Sequence, residues 1–312
     1  MNNFEKEELK RLIIEATVVS FDMFDTLVFR RVNAPETIFD LVGKHFGIHG
    51  FCKIRMAEQN EASRRVYEKY QYPHANIDEI YDVLAEHTEI PVNWNEVKEY
   101  EIQMEKDALV ANREMLEVFK FAKEQGKRVV ITSDMYLFAE TLQDILEKQG
   151  FKGIDHVYCS ADERKAKFNK ELFELLSVKE NVDYTNILHI GDKDRDDSEY
   201  PGSFGIKTFV YHRTIDLDKV KNCMDSDVDK GLYKILYDED KGFSYNLGVE
   251  VGGPLYMGLY RWISEKIKKS GKKIYFLARD GYNLFHIFKE FGCNNIEYLY
   301  TSRRALILAA IK

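Results

Sequence analysis

The chain has four cysteines in 312 residues, and Cys52, Cys159, Cys223 and Cys293 stand far apart with no Cys-x-x-Cys pair. That spacing excludes a zinc ribbon or a dithiol redox motif and fits reduced thiols. No apolar run approaches the roughly 20 residues that span a bilayer. The charged opening Met1-Asn2-Asn3-Phe4-Glu5-Lys6-Glu7 lacks the apolar stretch of a signal peptide, so a cytoplasmic protein is expected. Positive charge is not in excess either. The net charge is −8 and the pI near 5.6, with Lys and Arg scattered rather than striped. This argues against a general nucleic-acid binder but leaves room for a local basic site that holds a phosphate. There is no repeat of fixed period and no low-complexity tract. What is there is ordinary for a globular protein: 45% hydrophobic residues and length enough for two or three domains.

The most informative stretch is Thr17-Val18-Val19-Ser20-Phe21-Asp22-Met23-Phe24-Asp25-Thr26-Leu27-Val28, an apolar run that delivers two carboxylates where a buried strand should end. Such runs read as strands of a parallel sheet, and ligands of open α/β sheets gather at their carboxyl ends. After this strand the period turns helical for about a hundred residues. Pro35 suits a helix first turn, and further helices are expected at about 54–70, 77–88 and 94–123, with Asn76 as an N-cap. Arg128-Val129-Val130-Ile131-Thr132-Ser133-Asp134 then repeats the opening design, and helices at 137–149 and 167–178 alternate with strands at 155–159 and 186–190. That alternation implies a parallel sheet with right-handed crossovers. Near 214–242 Asp and Lys crowd in and periodicity fades, so a linker is expected there. A second unit follows, with the strand Lys273–Ala278, the turn Arg279-Asp280-Gly281, and the strand Ile296–Tyr300 leading into Ser302-Arg303-Arg304. Two strands do not make a stable α/β domain, so the chain is expected to be a fragment, or this unit to dock on a partner.

Four features occur in order: Asp22 after the first strand, Thr132 after the next long one, Lys167 opening a helix, and Gly191-Asp192-Lys193-Asp194-Arg195-Asp196-Asp197 after Ile187-Leu188-His189-Ile190. The set resembles the haloacid dehalogenase superfamily over about 15–213. The runs Ser133–Leu137, Lys167–Phe173 and Asp197–Ile206 are similar to a subgroup of hydrolase modules joined to glycosyltransferases or other surface-polysaccharide enzymes. The Arg279-Asp280-Gly281 and Ser302-Arg303 segments look like the second half of such proteins. The resemblance implies a Rossmann-like α/β core at 1–32 and 124–213, an all-helical cap at 33–123 inserted after the first strand, and a partial C-terminal α/β unit at 243–312. It also implies a Mg²⁺-dependent hydrolase acting on a small phosphorylated metabolite through a phospho-Asp22. Asp192, Asp197, Asp22 and the backbone carbonyl of Phe24 would hold the metal, and Thr132 and Lys167 would steady the transferring oxygens. A mobile cap would favour a small substrate, its specificity set by residues such as Arg55, Arg64 and Arg65, each of which is otherwise a solvated surface charge.

Each residue also has a plainer reading. The acidic loop at 192–197 could be a solvated turn, but a calcium loop would need Gly where Asp197 stands and Glu where Ser203 stands. Lys165, Lys167 and Lys170 share one short segment, and Lys165 is the alternative to Lys167. Thr132 could cap the following helix. His189, inside an apolar strand, reads as a packed core residue, and Arg30 and Arg31 as surface charges or substrate-phosphate contacts. One departure from the family pattern matters. Phosphatases of the superfamily carry a second Asp two residues after the nucleophile as acid and base, and here that position is Phe24. Asp25 follows where Gly is usual, and it could serve as the acid only if the chain has left the strand. The alternative function is therefore a catalytically weak binding or scaffolding module attached to a biosynthetic enzyme. Dehalogenases also lack the acid, but they do not need so acidic a metal loop.

Overall fold

The computed structural model describes residues 1–212, 226–238 and 241–301. The chain divides into two compact units, Met1–Ile235 and Leu236–Lys312. The first is built on a five-stranded, wholly parallel sheet in the order β5-β4-β1-β6-β7. Its strands are β1 (Val18–Phe21), β4 (Arg128–Ser133), β5 (His156–Cys159), β6 (Ile187–Gly191) and β7 (Lys207–Val210). Helices α1 (Asn3–Glu15), α6 (Arg113–Glu124), α7 (Ala139–Lys148) and α9 (Glu171–Glu180) accompany the sheet, with short turns α8 (Ser160–Glu163) and α10 (Tyr200–Gly202) between them. β1, β4 and β6 are buried along nearly their whole length, as β-branched runs covered on both faces must be. The fold is thus α/β with a Rossmann-like core and a helical insertion after the first strand. β1 lies at the centre, so whatever follows it sits mid-way along the carboxyl edge.

The insertion carries α2 (Thr37–Phe46), α3 (Phe51–Tyr70), α4 (Ile77–His87) and α5 (Trp94–Ala108). Asn76 caps α4 as expected, and Glu79 returns the bond to the Asn76 backbone. The helix expected over 94–123 is two helices. Leu109–Ala111 breaks it as β3, pairing antiparallel with β2 (Val28–Arg30), and the Asn112 side chain accepts from the Glu114 and Met115 amides to start α6. The insertion is therefore helical except for this ribbon, which joins its two ends. Asn112 binds the ribbon to the loop after β1, its amide N–H donating to the Leu27 carbonyl and its Nδ2 to the Thr26 carbonyl, both at 2.8 Å.

Two further differences concern expected surface. Part of the stretch expected as linker is the helix Asp227–Leu236, whose Gly231 lies against the Arg31 backbone so closely that a Cβ would come within 2.3 Å of the Arg31 carbonyl oxygen. The rest of that stretch up to 225, with Cys223, lies outside the described residues, as does Ser302-Arg303-Arg304. Arg55 is not a solvated charge. It is fully buried and forks onto Glu101 at 2.8 and 2.9 Å, Glu101 also accepts from Tyr81 at 2.7 Å, and the guanidinium lies over the Phe39 ring at 4.7 Å. Arg64 and Arg65 are on the surface, paired with Glu61, Glu68 and Glu86.

In the second unit β8 (Ile274–Leu277) and β9 (Ile296–Leu299) pair in parallel. Helices Gly253–Ser270 and Tyr282–Glu290 accompany them, and Phe276 and Phe288 pack ring to ring at 5.2 Å as its small core. Among the described residues no helix is long and apolar enough to cross a membrane.

The Arg55–Glu101 pair gives a test of the insertion. Arg55→Met strands a buried carboxylate and is expected to cost on the order of 3–5 kcal/mol, measured by urea denaturation of the full chain.

Candidate active site

The site is assembled where the central strands stop. The β1 ladder continues one residue past the strand, with the Asp22 amide donating to the Ile190 carbonyl at 2.8 Å, which fixes Asp22 beside the end of β6. The chain then leaves the sheet. The Leu27 amide returns to the Met23 carbonyl at 2.9 Å and the Asp25 amide bonds the Val28 carbonyl at 2.9 Å, a tight loop in which Asp25 has φ +60°. That left-handed conformation is the reason Gly suits this position, and Asp is among the residues that tolerate it. Asp25 is exposed and lines the same cavity as Asp192, so the condition for its use, departure from the strand, is met.

Lys167 is the organising charge. Only 4% exposed, it places its Nζ 2.7 Å from Asp22 Oδ1 and 2.7 Å from Asp197 Oδ1, while its backbone amide donates to both Asp134 oxygens at 3.1 Å. Burial alone would lower the lysine pKa, but Asp22 and Asp197 overcome it and hold the ammonium well above its ordinary value. Lys165, the alternative, has no such contact.

Asp197 is completely buried within a wide helical turn, Asp194–Glu199. Its Oδ1 accepts from Lys167 and from His189 Nε2 at 3.0 Å, and its Oδ2 accepts from the Lys193 amide at 3.0 Å. Burial pushes this carboxyl up, yet Lys167 and His189 bring it far below the usual range. Gly191 makes room for it, because a Cβ there would lie 2.3 Å from Asp197 Cγ.

Asp22 and Asp192 are in the opposite condition. Burial raises the Asp22 carboxyl, Lys167 opposes that, and the charge of Asp197 adds to it. Asp192 is pushed up to about 7 by burial and then by Asp22, Asp25 and Asp197. Its Oδ1 is buried without a hydrogen-bond partner among the described residues. Asp22, Asp192 and Asp197 each offer an oxygen within 4.8 Å of the others'. Three converging carboxylates, one with an orphaned oxygen, fit a hard divalent cation.

The Thr132 hydroxyl is fully buried and lies 2.7 Å from Ser20 Oγ, because Ser20 and Thr132 share one face of adjacent strands. The next hydroxyl, Ser133, takes the other face of its strand and forms no side-chain hydrogen bond among the described residues. Phe24, offered as a carbonyl ligand, is the last backbone link before the Asp25 turn. Its ring lies under the Arg30 guanidinium at 4.3 Å, and Glu105 holds Arg30 at 2.6 Å.

Beside the acidic cluster is a cavity of about 390 Å³ lined by Asp25, Asp192, Phe29, Arg30, Tyr211 and Lys234. Arg30 thus faces this cavity, whereas Arg31 does not line it. None of Arg55, Arg64 and Arg65 lines it either.

The strain at Asp192 has a measurable consequence. A carboxyl at about 7 in the folded chain and 3.8 in the unfolded one destabilises the fold in proportion as it ionises. The effect is absent below about pH 4, grows between, and is complete above pH 7. Asp192→Asn is therefore expected to melt above wild type at pH 8 in chelator, the difference vanishing as the pH approaches 4, measured by thermal denaturation.

No curated protein matches the sequence. Among solved structures, L-2-haloacid dehalogenase from Xanthobacter autotrophicus shares 15% identity at a TM-score of 0.45, covering 65% of this chain and 81% of that one. A haloacid dehalogenase family enzyme from Bacteroides thetaiotaomicron, in complex with magnesium and inorganic phosphate, shares 15% at 0.45, covering 66% and 98%. A magnesium-bound hydrolase of the same type from Bacillus subtilis shares 16% at 0.44, covering 62% and 87%. The family model for haloacid dehalogenase-like hydrolases matches residues 16–199, which is the stretch from Asp22 to the acidic turn, and the chain belongs to that family.

Proposed function

We propose that the protein is a Mg²⁺-dependent hydrolase of small phosphorylated metabolites that works through a phosphoryl group on Asp22. The observation that carries this is the carboxylate trio Asp22, Asp192 and Asp197 with the orphaned Asp192 oxygen, an excess of negative charge that a divalent cation would offset. Asp22, Asp192, Asp197 and the Phe24 carbonyl would hold Mg²⁺. Bound there, it would offset the repulsion between carboxylate and phosphate and polarise a phosphoryl oxygen.

The chain's own residues account for the rest. An Asp22 oxygen forms a bond to phosphorus as the bond to the ester oxygen breaks, and water then attacks the acyl phosphate, releasing inorganic phosphate and restoring the carboxylate. Lys167, already on Asp22, donates to the oxygens on which charge develops. The departing oxygen needs a proton that Phe24 cannot give, and Asp25 at the cavity wall supplies it and later receives one from water. Phe29, Arg30, Tyr211 and Lys234 surround the leaving group.

A second reading is favoured by Phe24 alone. An aromatic ring under Arg30 where the acid is usual suits a module that binds a phosphorylated ligand without efficient turnover, attached to a biosynthetic enzyme such as a glycosyltransferase.

Phosphate release from a panel of small phosphate esters separates the two. Turnover that requires Mg²⁺ and is lost in Asp22→Asn is the expected result; well-folded wild type that binds Mg²⁺ and releases nothing would favour the binding module. Asp25→Asn is expected to lower kcat by about 10²–10⁴, and an unchanged rate and pH profile would remove it from the mechanism. Mg²⁺ is expected to raise the melting temperature of wild type but not of Asp192→Asn, in a titration followed by thermal denaturation.

A further inference from the structure

His189 lies in the middle of β6 with no exposed surface. Packing accounts for one side of the ring, which meets Phe173 at 4.9 Å and 77°. It does not account for the nitrogens, both of which are engaged. Nδ1 is 2.8 Å from Ser20 Oγ, Nε2 is 3.0 Å from Asp197 Oδ1, and Ser20 Oγ is 2.7 Å from Thr132 Oγ1. The result is a buried polar chain across β4, β1 and β6 that ends on the carboxylate gripping Lys167.

Donor accounting gives this chain a direction. The Asp197 carboxylate only accepts, so Nε2 carries the hydrogen that reaches it. A neutral imidazole then accepts at Nδ1, and among the described residues the only group there able to donate is the Ser20 hydroxyl. Its single proton spent, Ser20 accepts from Thr132. Asp197 Oδ1 has two lone pairs and two donors, His189 and Lys167, so each donor limits where the other can sit.

We propose that His189 is a positioning residue for the lysine: with its tautomer set by Ser20 and Thr132, it fixes Asp197 Oδ1 at the point that aims Lys167 Nζ onto Asp22. The proposal rests on the reading of Lys167 as donor to the transferring phosphoryl group. A histidine kept only to fill space behaves differently under substitution. Glutamine can place an amide N–H₂ where Nε2 is, whereas asparagine reaches only the position of Nδ1.

The test uses the full chain with ¹⁵N-labelled histidine and lysine. In wild type near pH 8 the His189 imidazole is expected as the Nε2–H tautomer, and the Lys167 ammonium signal, assigned with Lys167→Met, is expected to move in His189→Asn and Ser20→Ala but not in His189→Gln. With a phosphate ester that the protein turns over, His189→Asn and Ser20→Ala are expected to lose about 10–100-fold in kcat with little change in KM, while His189→Gln retains most of it. An Nδ1–H tautomer in wild type, or equal effects of Asn and Gln on the Lys167 signal, overturns the proposal. Should no ester be turned over, the hydrolase reading falls by itself, while the two spectra still decide whether His189 positions Lys167. The wild-type tautomer can overturn the proposal even if a variant fails to fold, and Ser20→Ala gives a second perturbation of the Lys167 signal that leaves His189 in place.

Discussion

A single ammonium between two buried carboxylates sets the terms for everything around it. Charges at the end of a sheet are expensive to desolvate, and Lys167 meets that cost for Asp22 and Asp197 at 2.7 Å each. It does so unequally. Asp197 also has His189 and the Lys193 amide, and its charge is secure; Asp22 is raised by burial, shares the lysine and faces Asp197, so it is held above its ordinary pKa. Asp192 forms no ion pair among the described residues, and Lys193 nearby does not offset its burial and its neighbouring carboxylates. The site is therefore a deliberate imbalance, with one well-compensated carboxylate used as a fixed anchor and two left in want of positive charge. Local strain of this kind is what a site keeps when its missing partner is a ligand.

Asp22 and Asp192 were legible in the sequence because each stands where an apolar strand run stops and burial makes polarity conspicuous. Lys167 and Asp197, in a turn and an acidic loop, stood out only through the family resemblance. The residues that escaped are those whose partners lie on another strand. Ser20 and His189 are lone polar side chains within Val18–Phe21 and Ile187–Gly191, and nothing local distinguishes a satisfied core histidine from one that holds a carboxylate. Arg55 escaped for the same reason, since Glu101 lies 46 residues away on another helix.

The fold was legible in its long elements and lost in its short ones. β2 and β3, three residues each, are too brief to show a period, and β7, a half-buried edge strand that opens on Lys207, lacks the apolar run that marks its neighbours. α1 was visible in principle: Asn2 and Glu5 form a reciprocal cap, and Leu9 and Ile13 face the core. The helix Asp227–Leu236 sits in acidic, lysine-rich sequence that reads as a connector. Its place against Arg31 depends on the absence of a side chain at Gly231, a feature of contact rather than of composition.

The β2–β3 ribbon and Asn112 have a consequence for how such a protein can be altered. Because Asn112 donates to the carbonyls of Thr26 and Leu27, the far end of an eighty-residue excursion is part of the wall that shapes the turn after Asp22. The insertion is consequently not an interchangeable part. A chimera that exchanges only the helices between Arg30 and Leu109 keeps this seam intact, whereas one cut anywhere inside Leu109–Asn112 redraws the loop that follows Asp22 while seeming to replace only what lies above it.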